Sequence, residues 1–321
     1  DSVITSPADI TATIQDENLT SYQVLISPIG QQQWRVISEG ASNVVESTIA
    51  ELDPTLLTNG QYDLVIRAED GNGRTAIDNI TIAVEGDLKV GNFSITLEDL
   101  NIPVLGIPIS VTRTYDSRRR FEALDFGYGW SVGYQNVKVE ESRTLGNGWA
   151  LNQYNRGPKG LVLDLCVEPL GSPIVTVTLP TGDVERFEVA ASPQCNSYIP
   201  IKDVELQFNP VGDTQSSLVA LDQSEGYYSN GLLVDSSDYI TPIDPDHYLL
   251  ETQAGYKYYL NQSVGIEKVI DPNGNTLTYT NGGIYHSSGK SVVFNRDSQG
   301  RIVSITDPSG HTLNYIYDAD G

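Results

Sequence analysis

Asp271-Pro272-Asn273-Gly274-Asn275-Thr276-Leu277-Thr278-Tyr279 returns 36 residues later as Asp307-Pro308-Ser309-Gly310-His311-Thr312-Leu313-Asn314-Tyr315. A shorter echo, Asp297-Ser298-Gln299-Gly300 and Asp318-Ala319-Asp320-Gly321, is offset by 21, and turn glycines at 289, 300, 310 and 321 step by 11, 10 and 11. Each Asp-x-x-Gly supplies a turn: Asp caps backbone amides, Pro presets φ, and Gly accepts positive φ. The six or so residues between turns make one strand. Alternation puts Leu277 and Tyr279 on one face and Thr276 and Thr278 on the other, a pattern that Leu313, Tyr315 and Tyr317 repeat. One strand per turn, stacked repeatedly, gives a sheet that grows by repetition. Two or three such units cannot cover their own apolar face, so the natural chain is expected to carry more of them beyond Gly321.

Upstream the same grammar holds with less regularity. Ile174-Val175-Thr176-Val177-Thr178-Leu179 and Val184-Glu185-Arg186-Phe187-Glu188-Val189 flank Pro180-Thr181-Gly182-Asp183, which predicts a hairpin. Strand patterns continue to Tyr256-Lys257-Tyr258-Tyr259-Leu260, with longer loops expected within 203–242. Residues 43–52 are the best helix candidate in a chain almost without helical periodicity. Near the start, Tyr62, Leu64, Ile66 and Ala68 alternate, as do Ile80, Ile82 and Val84, with Asp70-Gly71-Asn72-Gly73 as the turn between them. Tyr62, entering a strand after Leu57-Thr58-Asn59-Gly60-Gln61, resembles the tyrosine corner of immunoglobulin-like and fibronectin type III sandwiches. Trp34, in Trp34-Arg35-Val36-Ile37, is expected as a core aromatic of that sandwich.

The expected fold class is therefore all-β. Residues 1–86 read as an immunoglobulin/fibronectin-III-like sandwich, 87–260 as a β-rich antiparallel region, and 261–321 as the first repeats. With 321 residues and 39% hydrophobic content there is enough apolar surface for sizeable cores. Acidic residues outnumber basic ones 42 to 19, for a net charge of −23, a surface that repels nucleic acid and anionic membrane. Neither a run of 18 apolar residues nor a basic start followed by an apolar stretch is present, so no membrane insertion or signal peptide is expected in this segment. Both ends read as cut from something longer. Cys166 and Cys195 lie in strand-like surroundings, and sequence alone leaves their pairing open. His247, His286 and His311 lack ligand spacing to a cysteine.

The search for chemistry assigns no catalytic, cofactor-binding or metal-binding residue. The G-x-S-x-G, H-E-x-x-H and G-x-x-x-x-G-K-[ST] patterns are absent. Asp246-His247 is an acid–base candidate, but adjacent side chains on a strand face opposite ways. Glu69-Asp70-Gly71-Asn72-Gly73 offers oxygens to calcium but lacks EF-hand spacing, and a hairpin turn explains it fully. Arg118-Arg119-Arg120 is the only basic run and reads as a solvated loop, with a protease-sensitive or partner-docking loop as the alternative. Arg113, between apolar strand residues, is expected to pair with a carboxylate inside the wall. The 18 tyrosines could bind glycans, but several fall at repeat positions, which favours cross-strand ladders.

Gly300-Arg301 through Asp307-Pro308-Ser309-Gly310 to Tyr317-Asp318-Ala319-Asp320-Gly321 resembles the RHS or YD repeat, marked by the Gly-Arg start and the Tyr-Asp-x-x-Gly ending. The preceding copy has Arg296-Asp297 where the Tyr-Asp pair is expected. Leu52-Asp53-Pro54-Thr55-Leu56-Leu57, Leu88-Lys89-Val90-Gly91-Asn92-Phe93, Gly106-Ile107-Pro108-Ile109, Arg113-Thr114-Tyr115-Asp116-Ser117 and Phe126-Gly127-Tyr128-Gly129-Trp130-Ser131 resemble the lead-in of large bacterial RHS proteins. The resemblance implies a hollow β-shell that in toxin members encloses a C-terminal effector and in teneurins serves adhesion. It implies a non-enzymatic, extracellular or cell-surface segment. The expected partners are the rest of its own shell and an effector domain, with a cell-surface protein or glycan as further candidates. The alternative is an adhesin or carbohydrate-binding module. The family's self-cleaving DPxGxxGG-like element is shared only in its first letters by Asp271-Pro272-Asn273-Gly274 and Asp307-Pro308-Ser309-Gly310, and that activity is not carried over.

Overall fold

The computed structural model describes residues 2–29, 34–57, 60–85, 93–156, 160, 162–179, 183–198 and 203–318. The lead-in motif at 88–92, Thr58 and Asn59 before the expected corner, the hairpin tip at 180–182 and the last turn at 319–321 lie outside the described residues. The chain is all-β and divides into two compact units, Asp1–Asn92 and Phe93–Gly321. No described helix is long and apolar enough to cross a membrane.

The first unit contains β1 (Ser2–Ile4), β2 (Ala8–Ile14), β3 (Leu19–Pro28), β4 (Arg35–Gly40), β5 (Val44–Leu52), β6 (Gly60–Asp70) and β7 (Thr75–Val84). One sheet has the order β1-β7-β6-β3-β4, the other pairs β2 with β5. β1 runs parallel to β7 and every other pair is antiparallel. Val24, Ile26, Tyr62, Leu64, Ile82 and Val84 of the first sheet meet Ile14, Ile49 and Leu52 of the second in one core. Each fully buried aliphatic side chain contributes about 1.5–3 kcal/mol.

Two expectations fail in this unit. Residues 43–52 form β5, not a helix. Ile49 and Leu52 are buried three apart because the β2–β5 register slips between Ile10 and Thr11 and again between Ala12 and Ile14. A bulge inserts a residue and breaks the two-residue period, which mimics a helical spacing. Trp34 is 46% exposed: it precedes edge strand β4, from which Ile37 packs against the core.

The second unit opens with β8 (Ser94–Ile102), β9 (Ile109–Asp116), β10 (Ala123–Leu124), β11 (Gly127–Tyr128) and β12 (Trp130–Val132). β12-β9-β8 is a three-stranded sheet, and β10-β11 a short hairpin. Next come β13 (Lys138–Glu141), β14 (Trp149–Arg156), β15 (Val162–Pro169), β16 (Ile174–Thr178), β17 (Val184–Ser192), β18 (Cys195–Ser197), β19 (Asp203–Pro210), β20 (Ser217–Ala220), β21 (Glu225–Ser229) and β22 (Leu232–Asp235). The last group is β23 (His247–Glu251), β24 (Lys257–Asn261), β25 (Gly265–Ile270), β26 (Thr276–Thr280), β27 (Gly283–His286), β28 (Ser291–Arg296), β29 (Ile302–Thr306) and β30 (Thr312–Asn314).

A 15-stranded sheet runs β13-β16-β17-β19-β20 and then through β23 to β30 in chain order, with β21 and β22 branching from β19. The strands alternate as the sequence dictates. In β19, Val204, Leu206 and Phe208 are buried between exposed Asp203, Glu205 and Gln207. Ile109, Val111 and Val132 of the lead-in sheet, and Trp149 and Val167 of β14-β15-β18, share one core with this large sheet. Cys166 and Cys195 face each other across β15 and β18 and form a disulfide, which resolves the pairing that sequence left open.

Candidate functional site at the seam of lead-in and repeat

The repeat turns are built alike. Asp271 Oδ1 accepts the amides of Asn273 (2.9 Å) and Asn275 (2.8 Å). Asp297 Oδ1 accepts those of Gln299 and Arg301 (both 2.9 Å), and Asp307 Oδ1 those of Ser309 (2.7 Å) and His311 (2.9 Å). Each turn closes with a glycine amide donating back to the aspartate carbonyl at 3.0 Å, and Gly274, Gly300 and Gly310 all sit near φ +86°, which glycine alone adopts without strain. Two further turns use another capping side chain. His286 Nδ1 accepts the Ser288 amide (2.9 Å) ahead of Gly289, and Thr252 Oγ1 accepts the Tyr256 amide (3.2 Å) beside Gly255. The second oxygen of each aspartate takes a side chain: Asn275 (2.7 Å), Arg301 (2.9 Å) and His311 (3.1 Å). Asn275 and the turn amides hold the Asp271 carboxyl below its usual range despite desolvation. For Asp297 and Asp307 desolvation opposes the shift, and hydrogen bonds from Arg301 and from the His311 amide still carry it down.

Across these strands lies the lead-in. Arg113 on β9 donates from Nε to Asp99 (2.9 Å to Oδ2), and the Tyr315 hydroxyl donates to the same oxygen at 2.7 Å. The guanidinium stacks 5.2 Å from the Trp130 ring centre and 5.7 Å from that of Tyr315, whose ring meets Phe126 edge-on at 4.9 Å. Burial, and then the Asp99 charge, push the Tyr315 hydroxyl well above its ordinary range. A second contact repeats the logic. Buried Asp125 pairs with Arg296 Nη2 at 2.7 Å, and its carbonyl accepts the Ile302 amide, also at 2.7 Å. Further along, the Tyr134 hydroxyl donates to the Thr280 carbonyl (3.2 Å) and its ring lies 5.0 Å from Tyr279. Burial and Asp125 push that hydroxyl up to about 12. At Gly265 the backbones approach so closely that a Cβ would stand 2.3 Å from the Tyr134 carbonyl oxygen. Arg113 thus has the carboxylate partner expected of it, and cations, carboxylates and rings fix the lead-in onto repeat strands.

Comparison with known families maps onto the two halves of this seam. A Domain of unknown function (DUF6531), which accompanies RHS repeats at their N-terminal side, matches residues 87–140, and the RHS Repeat matches residues 296–321. The chain carries an RHS repeat behind an RHS-associated domain. No curated protein matches it.

Other candidates in this chain land elsewhere. His247 Nδ1 meets Asp222 Oδ2 at 2.8 Å and Nε2 meets Asn261 at 2.9 Å, so the histidine's carboxylate partner is Asp222 and not its neighbour Asp246. Asp222 leads the causes that raise the imidazole's pKa. Asp70 Oδ1 accepts the amides of Asn72 and Arg74 (both 2.8 Å), and no group of three or more His, Cys, Asp or Glu is gathered for a metal among the described residues. Arg119 pairs with Glu122 at 2.8 Å and Arg120 stacks over Phe121 at 4.6 Å; the side chain of Arg118 lies outside the described residues. Ser288 Oγ meets His286 Nδ1 at 2.8 Å, but that nitrogen already accepts the Ser288 amide, which ties it to the turn.

Sequence reasoning missed a part-buried acid network. Glu141, at the end of β13, accepts the Tyr248 hydroxyl and the Gln262 amide (2.6 Å to the latter) and hydrogen-bonds Asp244. Burial first, and the Asp244 carboxylate, push the Glu141 carboxyl up to about 9. Tyr248 is driven far above its ordinary range by burial and by Glu141. Glu141 lies more than 100 residues from Tyr248 and Gln262 in the chain, with no local signal linking it to them.

Proposed function

We propose that this chain is a non-catalytic wall segment of an RHS β-shell, preceded by a spacer sandwich, in a secreted or cell-surface protein whose shell encloses or presents a C-terminal effector. The observation that carries this reading is the seam: strands β23 to β30 pair consecutively, and the lead-in is clamped across them by Arg113–Asp99–Tyr315 and Asp125–Arg296. A clamp of this kind gives a growing sheet a fixed starting edge. The disulfide supports an oxidising compartment. The order β7-β6-β3 over β2-β5 supports an immunoglobulin- or fibronectin-III-like reading of the first unit.

The test is electron cryomicroscopy of the natural full-length protein, with limited proteolysis alongside. The expected result is a closed hollow wall containing residues 93–318, with enclosed sequence resistant to protease until the wall is breached. An open, solvent-filled sheet, or enclosed sequence cleaved as fast as in isolation, overturns the reading.

A further inference from the structure

The sandwich of the first unit is open along one side. β6 and β7 pair without a register slip, with Leu64 opposite Ile80, Ile66 opposite Asp78 and Ala68 opposite Ala76. Opposed residues share a face, so Ala76, Asp78 and Ile80 lie on the side of the sheet that holds Ile82 and Val84. Ile82 and Val84 are buried; Ala76, Asp78 and Ile80 are exposed, Ile80 by 53%. β1 pairs with β7 only from Ile82 onward, and ahead of that point no described strand pairs with the edge of β7 away from β6, nor with the outer edge of β2. A groove of about 500 Å³ lies between these edges, with Ile14, Leu19, Ile66 and Ala68 in its lining.

The direction of the backbone groups at that edge follows from two hydrogen bonds. The Asp70 amide donates to Arg74 and the Glu85 amide to Ile4. In an antiparallel pair, residues alternate between bonding inward and outward. Even-numbered residues of β7 therefore bond to β6, while Thr75, Ile77 and Asn79 turn N–H and C=O outward. Of the charged residues in the lining, Asp16 and Asp70 are each held by their own turns, and Glu69, opposite Thr75, lies on the far face of the sheet, which leaves the Asp78 carboxylate and Arg74 on the groove face. Asp78 stands on the core side, where an apolar residue is the ordinary choice.

We propose that this groove takes one extended strand of a partner protein, with alternating apolar side chains and a lysine or arginine placed at Asp78, paired parallel with β7 in line with β1. Main-chain hydrogen bonds supply affinity, and the alternating side chains complete the core, as in strand addition to an open sheet edge. The basic residue answers the Asp78 carboxylate and sets the register.

The probe is a fluorescein-labelled eight-residue peptide of alternating valine and threonine with a central lysine, titrated into the full chain by anisotropy. Amide exchange of β7 is followed in parallel. Saturable binding is expected, with slower exchange at Ile77 and Asn79. Ile77→Pro removes only an outward N–H and leaves the β6 ladder intact. Asp78→Lys reverses the charge without touching the backbone. Each variant is expected to weaken the peptide about tenfold or more, and a central glutamate is expected to restore binding to Asp78→Lys. Circular dichroism checks that both variants fold. Absence of saturable binding, or affinity unchanged in both variants, overturns the proposal. Two other results also overturn it: a dimer of the chain that Ile77→Pro dissociates, or slow exchange at Ile77 and Asn79 before peptide is added.

Discussion

Replacing Glu141 with glutamine isolates one buried proton. In the fold this carboxyl is held protonated up to about 9, against 4.5 ordinarily, by burial and by the Asp244 charge beside it. Between those values the folded state keeps a proton that the unfolded chain releases. The associated stability is complete below pH 4.5 and is lost progressively as pH rises toward 9, at about 1.4 kcal/mol per pH unit. From pH 4.5 to 7 the loss is at most about 3 kcal/mol. Glutamine copies the protonated acid: its oxygen accepts from Tyr248 and Gln262, and its amide donates to Asp244. Glu141→Gln should therefore match the native chain near pH 5 and exceed it increasingly toward pH 8. Urea unfolding of the full chain, followed through Trp130 and Trp149, measures the difference, and other titrating groups cancel between the two proteins. Asp244→Asn should give a partial effect, since burial, the larger cause, remains. Stability curves of the native chain and Glu141→Gln that run parallel from pH 5 to 8 would refute the reasoning.

Arg113→Ala leaves the Asp99 carboxylate, 9% exposed, without its cation and should cost about 3 kcal/mol by chemical denaturation. Arg113→Lys should recover less than half of that, because an ammonium cannot stack as a plane on Trp130 and Tyr315. Replacing both Cys166 and Cys195 with serine opens a loop with a sequence separation of 29 and should destabilise the second unit by about 3–4 kcal/mol, read by the same denaturation. The carboxyls of Asp271, Asp297 and Asp307 are depressed in the fold, so the stability they supply is present above 3.8 and lost as pH falls through their lower folded values. Amide protection at Asn273, Gln299 and Ser309 should fall together over that acid window, and Asp297→Ala should remove it at Gln299 and Arg301 alone.

What was legible in the sequence is what chemistry keeps local. The Asp-x-x-Gly turns could be read because capping carboxylate, capped amides and left-handed glycine all lie within five residues. The strands between them could be read because alternation needs only the strand itself. Arg113 announced a partner by being a cation among apolar strand residues, yet nothing in the sequence named Asp99. The structure gives the reason: the β8–β9 register slips between Glu98 and Leu100, so Asp99 is the extra residue of a bulge, re-aimed toward Arg113 and Tyr315. Glu267, 3.8 Å from His247, is likewise the extra residue where β24 and β25 slip between Tyr259 and Leu260. The same device hid β5, whose buried residues fall three apart across slips in β2–β5. Alternation fails at bulges, and at two of the three described in this unit, β8–β9 and β24–β25, the extra residue is a charged side chain carried out of the alternating pattern to a partner on another strand. A break in the two-residue period beside an acidic residue is therefore the place to look for a clamp in an RHS lead-in, and a charge-removing change at Asp99 should loosen the seam more than one at Glu98, which bonds only exposed Asn101 and Ser110.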